Sequence, residues 1–207
     1  MTEGRIRELL TPFLYPASLS VSQFELVSSY LDLLLKWNSK INLSAVREPE
    51  EIVTRHFGES FFAARQLFLN PDSGTAIDIG SGAGFPGIPM KIWAPTLHLT
   101  LIEATQKKAV FLREVVRTLG LQQVSVLAQR AESVQARADL VSLRAVERFE
   151  NTLPLARPLL QVGGRIVLLI GSAQVETAKS LLSDLRWQEP IPIPLSRSRV
   201  LLVGHTK

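Results

Sequence analysis

The stretch Ala76-Ile-Asp-Ile-Gly80-Ser-Gly-Ala-Gly84-Phe-Pro-Gly87 decides how this chain is read. A short apolar run, suited to a buried strand, leads directly into four glycines within eight residues. Glycine tolerates positive φ and lets a ligand come close to the main chain, whereas an ordinary turn needs only one or two such positions. The loop therefore reads as a ligand cradle at the carboxyl end of a strand, the place where open α/β sheets bind their ligands.

Outward from this loop, further β-rich runs lie at Thr75–Ile79, Leu97–Ile102, Val124–Leu127, Asp139–Leu143 and Arg165–Ile170. Helical stretches separate several of them, clearest at Gln106–Leu119 and Ala173–Leu185, and a hairpin-like pair around Trp187–Ile193 and Arg199–Val203 ends the chain. Strands alternating with helices imply crossover units and a doubly wound, mostly parallel α/β sheet. Upstream the period is different. Phe24, Val27, Tyr30, Leu31, Leu34 and Leu35 recur at helical spacing within Ser22–Trp37, and Ser22-Gln-Phe-Glu25 reads as a capping box. Asn38–Ser44 breaks the pattern. A second helix is predicted from near Pro49 through Ile52, Phe57, Phe61, Ala64 and Phe68, closed by the turn Asn70-Pro-Asp-Ser-Gly74. Two regions are expected: an N-terminal helical extension, 1–70, and the sheet domain, 71–207.

Composition narrows the function. Of 207 residues, 46% are hydrophobic and 20% charged, with Gly and Pro at 12 each, which excludes disordered, collagen-like and coiled-coil chains. The longest aliphatic run, Ile166–Ile170, is far short of the ~20 residues that cross a bilayer. Residues 1–20 carry Glu3, Glu8 and two prolines, unlike a signal peptide, so the cytoplasm is the expected compartment and a monomer the default state. There is no cysteine, and the three histidines (56, 98 and 205) lack metal-ligand spacing, so no metal is expected. Charge is uneven: residues 1–103 hold 8 basic against 11 acidic side chains, and residues 104–207 hold 15 against 8. A basic half suits a polyanionic partner such as RNA or DNA, and equally an ordinary solvated surface.

Two ligands compete for the loop. Gly82-Ala-Gly-Phe-Pro-Gly87 matches the dinucleotide pattern, with Glu103 near the distance of a ribose-binding acid. Against a dinucleotide, Asp78 would repel a pyrophosphate, and Pro86 removes one amide from its cradle. S-adenosylmethionine has no phosphate; its ammonium and sulfonium suit Asp78 and its ribose suits Glu103. It is the favoured cofactor. Later strand ends add Ala131-Glu132, able to meet an adenine or to be only an exposed acid opening a helix. They also add Arg144, able to hold a phosphate, base or carboxylate or simply to pair with Glu147 or Glu150.

With these motifs assembled, the chain resembles the bacterial 16S rRNA guanine-N7 methyltransferase G family, also called glucose-inhibited division protein B. The resemblance is carried by Lys36-Trp-Asn38, Ile41-Asn-Leu-Ser44, Arg55-His56, Asp78 to Pro89, Leu101-Ile-Glu-Ala104, Lys107-Lys108, Phe111-Leu112, Arg130-Ala-Glu132 and Arg144-Ala-Val146. It implies a Rossmann-like class I methyltransferase with a seven-stranded, mostly parallel sheet, a terminal antiparallel strand and an N-terminal helical extension. It also implies methyl transfer from S-adenosylmethionine to N7 of a guanine in 16S rRNA, on the small ribosomal subunit or an assembly intermediate. By motif, Gly80, Phe85, Glu103, Ala104, Thr105, Ala131, Glu132 and Arg144 are its cofactor positions, joining Asp78 and Gly82 from the reading above. The chain departs from the family at Ile170, where a lysine is usual, at Leu143, and at Glu59, where an aspartate is usual.

Guanine N7 carries a lone pair and no proton, so its methylation needs alignment and desolvation rather than a base, and no catalytic residue is assigned. Leu143-Arg-Ala-Val146 also differs from the Asn/Asp-Pro-Pro-aromatic tetrad of exocyclic-amine methylation. Arg55, His56, Arg144, Arg197 and Arg199 are candidates to position RNA, although Arg55 and Glu59 are spaced for a local ion pair and His56 for interhelical packing. Lys107, Lys108, Arg113 and Arg117 supply a basic helix face that is also what an ordinary amphipathic helix presents. A non-catalytic NAD- or nucleotide-binding module and a small-molecule methyltransferase are the alternatives.

Overall fold

The computed structural model describes residues 1–68, 74–146 and 148–206. Its strands are β1 (Thr75–Ile79), β2 (His98–Ile102), β3 (Val124–Leu127), β4 (Ala138–Arg144), β5 (Leu160–Gly171), β6 (Arg186–Trp187), β7 (Ile191–Pro192) and β8 (Arg199–His205). They form one sheet in the order β3-β2-β1-β4-β5-β8-β6, with β7 also on β8. β1 to β5 pair in parallel, and β8 runs antiparallel to β5. The expected seven-stranded path is present. The eighth strand arises because the segment facing β8 is broken into two-residue pieces, β6 opposite Gly204–His205 and β7 opposite Val200–Leu201. Strand order reverses between β1 and β4, so their carboxyl ends open the crevice of a doubly wound sheet.

The helices are α1 (Glu3–Leu14), α2 (Val21–Asn38), α3 (Pro49–Ile52), α4 (Glu59–Leu67), α5 (Gly87–Trp93), α6 (Gln106–Thr118), α7 (Phe149–Thr152) and α8 (Val175–Leu181), with short 3-10 turns between several elements. The capping box at the start of α2 belongs to Ser20 and Gln23, not to Ser22 and Glu25: Ser20 Oγ accepts from the Gln23 amide and Gln23 Oε1 from the Ser20 amide. Both spacings satisfy the motif, and the turn that closes first takes the cap. Pro49 opens α3 as expected, but a π-helical turn, Val53–Gly58, separates α3 from α4. Such turns mark functional segments more often than chance. Helix α1, unassigned from the sequence, buries Ile6, Leu10, Phe13 and Leu14 despite Pro12. The expected turn Asn70–Gly74, apart from Gly74 itself, and the expected boundary at 70/71 lie outside the described residues.

Period-two alternation splits the apolar residues between the two faces of the sheet. Ala76, Leu99, Leu101, Leu140, Val167, Leu169, Leu201 and Val203 share a core with α1, α2 and α4. Ile77, Ile79, Val141, Leu143, Ile166, Leu168 and Leu202 pack against the turn Leu153–Leu159 and α8. The N-terminal helices are thus one covering layer of the sheet, sharing its core. One contact ties them to the glycine loop: Tyr30 of α2, fully buried, donates its hydroxyl to the Ala83 carbonyl.

Candidate active site

A cavity of about 650 Å³ opens at the carboxyl ends of β1, β2 and β4, within the usual range for small-molecule sites. Its first wall is backbone. Gly80, Gly82 and Gly84 have φ of +65°, +55° and +94°, which only glycine adopts freely. At Gly84 a side chain would also strike Tyr30 and Ile88. Glu103, at the end of β2, accepts the Gly82 amide at 2.9 Å through Oε2 and the Thr105 amide at 2.7 Å through Oε1. Its carboxylate thereby ties the glycine loop to the start of α6 and keeps further lone pairs for hydroxyl donors.

Asp78 is placed differently from the expectation. It is fully buried beneath the loop and does not line the cavity. Oδ1 accepts the Ser142 hydroxyl at 2.7 Å across the β1–β4 register, whereas Oδ2 has no hydrogen-bond partner among the described residues. A Cβ on Gly87 would press on this carboxylate, so Asp78 sits under the first turn of α5. Burial pushes its carboxyl up to about 6, against the lowering influence of Ser142, Ser81 and Gly87. The strand alternation that aims Ala76 into the core aims Asp78 there too, away from a ligand. Its carboxylate meets Ser142 and the underside of the loop at Gly87.

The second wall is built from side chains. Glu59, at the start of α4, is a buried carboxylate whose Oε2 accepts from Arg144 Nη2 at 3.1 Å and Nε at 3.3 Å, and from Arg199 Nε at 2.9 Å. The Glu59 and Arg144 side chains are 4% and 8% exposed. Removing one partner from a buried pair leaves a costly naked charge, so the three hold each other. Arg144 also donates to the Arg55 carbonyl at 2.8 Å and faces His56 Nδ1 at 3.1 Å; Arg199 donates to the Leu169 carbonyl. The expected Arg55–Glu59 pair does not form: Arg55 turns back to Glu51 at 2.8 Å. The π-turn between them shifts the helical register, so residues four apart no longer share a face. His56 is buried, its Nε2 is 2.7 Å from Ser44 Oγ, and burial followed by the charges of Arg144, Arg55 and Arg199 lowers it to about 3.

Ser44 is held by Asn38, a buried residue at the end of α2. Asn38 Oδ1 accepts the Leu43 and Ser44 amides at 3.0 Å each, and its Nδ2 donates to the Ser44 carbonyl at 3.1 Å. This explains the Trp-Asn…Asn-Leu-Ser signature: its asparagine folds the loop that brings Ser44 into the cavity.

The cavity thus gathers Gly80, Gly82, Phe85, Glu103, Thr105, Arg144, Arg55, His56 and Arg199 of the expected residues. Phe85 is also largely core, stacked on Tyr30 at 5.3 Å and edge-on to Phe57 at 5.0 Å. Ala104, Ala131, Glu132 and Arg197 do not line the cavity; Glu132 lies exposed in a 3-10 turn and Arg197 is exposed in the loop before β8. Also lining it are Lys108 of α6, expected only as part of a basic helix face, and Asn42, Ala145 and Thr152, unassigned from the sequence, on loops or the short α7. Ala145 has φ +49°, a strained turn directly after Arg144. Ile170, one of the departures from the family pattern noted above, is buried at the end of β5, and Arg199 is the register partner of its neighbour Gly171. Among the described residues no cluster of three or more His, Cys, Asp or Glu is placed to hold a metal.

Comparison with known proteins agrees with the geometry. A ribosomal protein L11 methylase from Lactobacillus delbrueckii subsp. bulgaricus superposes with a TM-score of 0.63 at 13% identity, covering 74% of this chain and 80% of that one. M. jannaschii TYW2, solved in complex with AdoMet, gives 0.59 at 17% identity over 81% and 78%. These likenesses establish the fold as that of the methyltransferases. The ribosomal RNA small subunit methyltransferase G of Chloroflexus aggregans is 38% identical over 215 residues, 98% of this chain and 89% of that protein. The GidB profile, described as rRNA small subunit methyltransferase G, matches residues 23–189. The chain belongs to this family of small-subunit rRNA methyltransferases.

Proposed function

We propose that this chain transfers the methyl group of S-adenosylmethionine to N7 of a guanine in 16S rRNA, acting as a monomer in the cytoplasm on the small subunit or its assembly intermediate. One observation supports the choice of acceptor: among the described residues, each buried ionisable side chain that lines the cavity or pairs with its lining is already engaged. Glu103 holds two amides and keeps its remaining lone pairs for ribose hydroxyls, Glu59 Oε2 is committed to two arginines, and His56 Nδ1 faces a guanidinium that can only donate. An acceptor that must lose a proton finds no unengaged base among these described residues; guanine N7 needs none.

S-adenosylmethionine supplies an electrophilic methyl group when bound. The residues present fit it: the glycine loop leaves room against the backbone, Glu103 offers acceptors for ribose hydroxyls, and Gly80, Gly82, Phe85 and Thr105 complete that side. Arg144 is held by Glu59, so it stays in place as a cation beside the cavity. Arg55 and Lys108 add positive charge at the rim for phosphate, making binding salt-dependent. The chain's contribution is to bind, orient and exclude water.

Mapping modified nucleotides in 16S rRNA from a deletion strain tests the reading. Loss of one N7-methylguanosine, restored by the gene, is expected; an unchanged inventory overturns it. Calorimetric titration separates the cofactors, with S-adenosylmethionine expected to bind and NADH not. The reverse would favour a non-catalytic nucleotide module.

A further inference from the structure

Ser44 lies between two groups whose hydrogen-bonding roles are fixed by their own neighbours. Arg144 carries only donors and its Nη2 points at His56 Nδ1 at 3.1 Å, so Nδ1 accepts there rather than donating to the Arg55 carbonyl, which Arg144 already occupies at 2.8 Å. The imidazole is neutral at working pH, and its one proton is therefore on Nε2, which faces Ser44 Oγ at 2.7 Å and donates to it. The Val46 amide donates to the same oxygen at 3.1 Å. Both lone pairs of the hydroxyl are used. Its hydrogen has no acceptor among the described residues, and Ser44 lines the cavity. A serine hydroxyl ordinarily donates or accepts as its partner requires; this one can only donate.

We propose that Ser44 is a specificity-determining residue: its hydroxyl donates to the C6 oxygen of the target guanine and rejects a base bearing an amino group at C6. The inference rests on the guanine reading above and deepens it. N7 lies next to C6 on the same edge of the purine, and guanine differs from adenine there by an acceptor in place of a donor. A hydroxyl free to switch roles would serve either base, whereas one locked as a donor favours guanine alone. Glu59, Arg144 and His56 are positioning residues for it, each holding the next.

The test uses small subunits reconstituted with 16S RNA bearing either guanine or 2-aminopurine at the methylated position. 2-Aminopurine keeps N7 and lacks the C6 oxygen. Initial rates of labelled methyl transfer give kcat/KM for the wild type, Ser44→Ala and Ser44→Thr. On guanine, Ser44→Ala is expected to lose about five- to tenfold, the scale of one neutral hydrogen bond, and Ser44→Thr to restore most of it. On 2-aminopurine, Ser44→Ala should cost nothing further, because the bond is already absent. An equal loss on both substrates, or a threonine variant no better than alanine, overturns the assignment by showing that the hydroxyl serves the loop. Should the wild type methylate neither subunit, the guanine reading fails and the Ser44 proposal falls with it.

Discussion

The two walls of the cavity are made in opposite ways. The wall of Gly80–Gly84 and Glu103 is backbone held chiefly by the Glu103 carboxylate, which reaches the Gly82 amide 21 residues away, with Tyr30 bracing Ala83 from 53 residues away. The wall of Glu59, Arg144, Arg199, His56 and Ser44 is side chain on side chain, joining residues 85 and 140 apart in sequence. A backbone cradle tolerates almost any side chain at its non-glycine positions. An ion-paired wall depends on every member, because each buried charge is stabilised only by the others.

Four measurements would break or sharpen this contrast. Glu59→Ala should have the largest effect, a loss of about 3–5 kcal/mol in denaturant unfolding, as expected when one partner leaves a buried pair. S-adenosylmethionine binding by the folded protein should survive, because Glu59 is not on the backbone wall; a stability change no larger than that of a surface substitution would dissolve the contrast. Glu103→Ala should weaken S-adenosylmethionine binding by about a hundredfold through charge-assisted hydrogen bonds, with little loss of fold, as read by calorimetry.

Gly84→Ala tests how strictly the first wall needs glycine. Its φ of +94° and the collision with Tyr30 and Ile88 should cost about 2 kcal/mol of stability and reduce cofactor affinity; a neutral result would show that the loop adapts. The smallest effect at neutral pH is that of His56. Its folded value lies near 3 against 6.5 unfolded, so below pH 6.5 the unfolded chain binds the extra proton. The stability that His56 confers should be complete above about pH 6.5 and decline as pH falls toward 3. Asp78 works in the opposite sense: its value is raised from 3.8 to about 6, so its contribution declines as pH rises through that window. Comparing wild type with His56→Phe across pH 4–8 isolates the histidine, and a flat difference would deny it a buried neutral state.

Much of this was legible before any fold was known. Strands β1 and β3 match their predicted limits, and β2, β4 and α6 fall within a residue or so, because period-two and period-3.6 apolar patterns are local properties. The backbone wall was legible for the same reason. Asp78 was misplaced because its position relative to the loop was clear while the face of the strand it points from was not. The Arg55–Glu59 pair failed because a π-turn is invisible in residue spacing, and α1 was missed because Pro12 conceals a helix held by tertiary burial.

By itself the amino-acid order determined a doubly wound sheet, a glycine loop at its first strand's carboxyl end and an acid at the second, since glycine conformation and hydrophobic period act over a few residues. Only the tertiary structure decided that Glu59 clamps Arg144 and Arg199, that His56 is neutral and that Ser44 can only donate. Those facts depend on burial and on which groups meet across 85 or more residues of chain, and charge and tautomer follow from neighbours that spacing alone does not reveal.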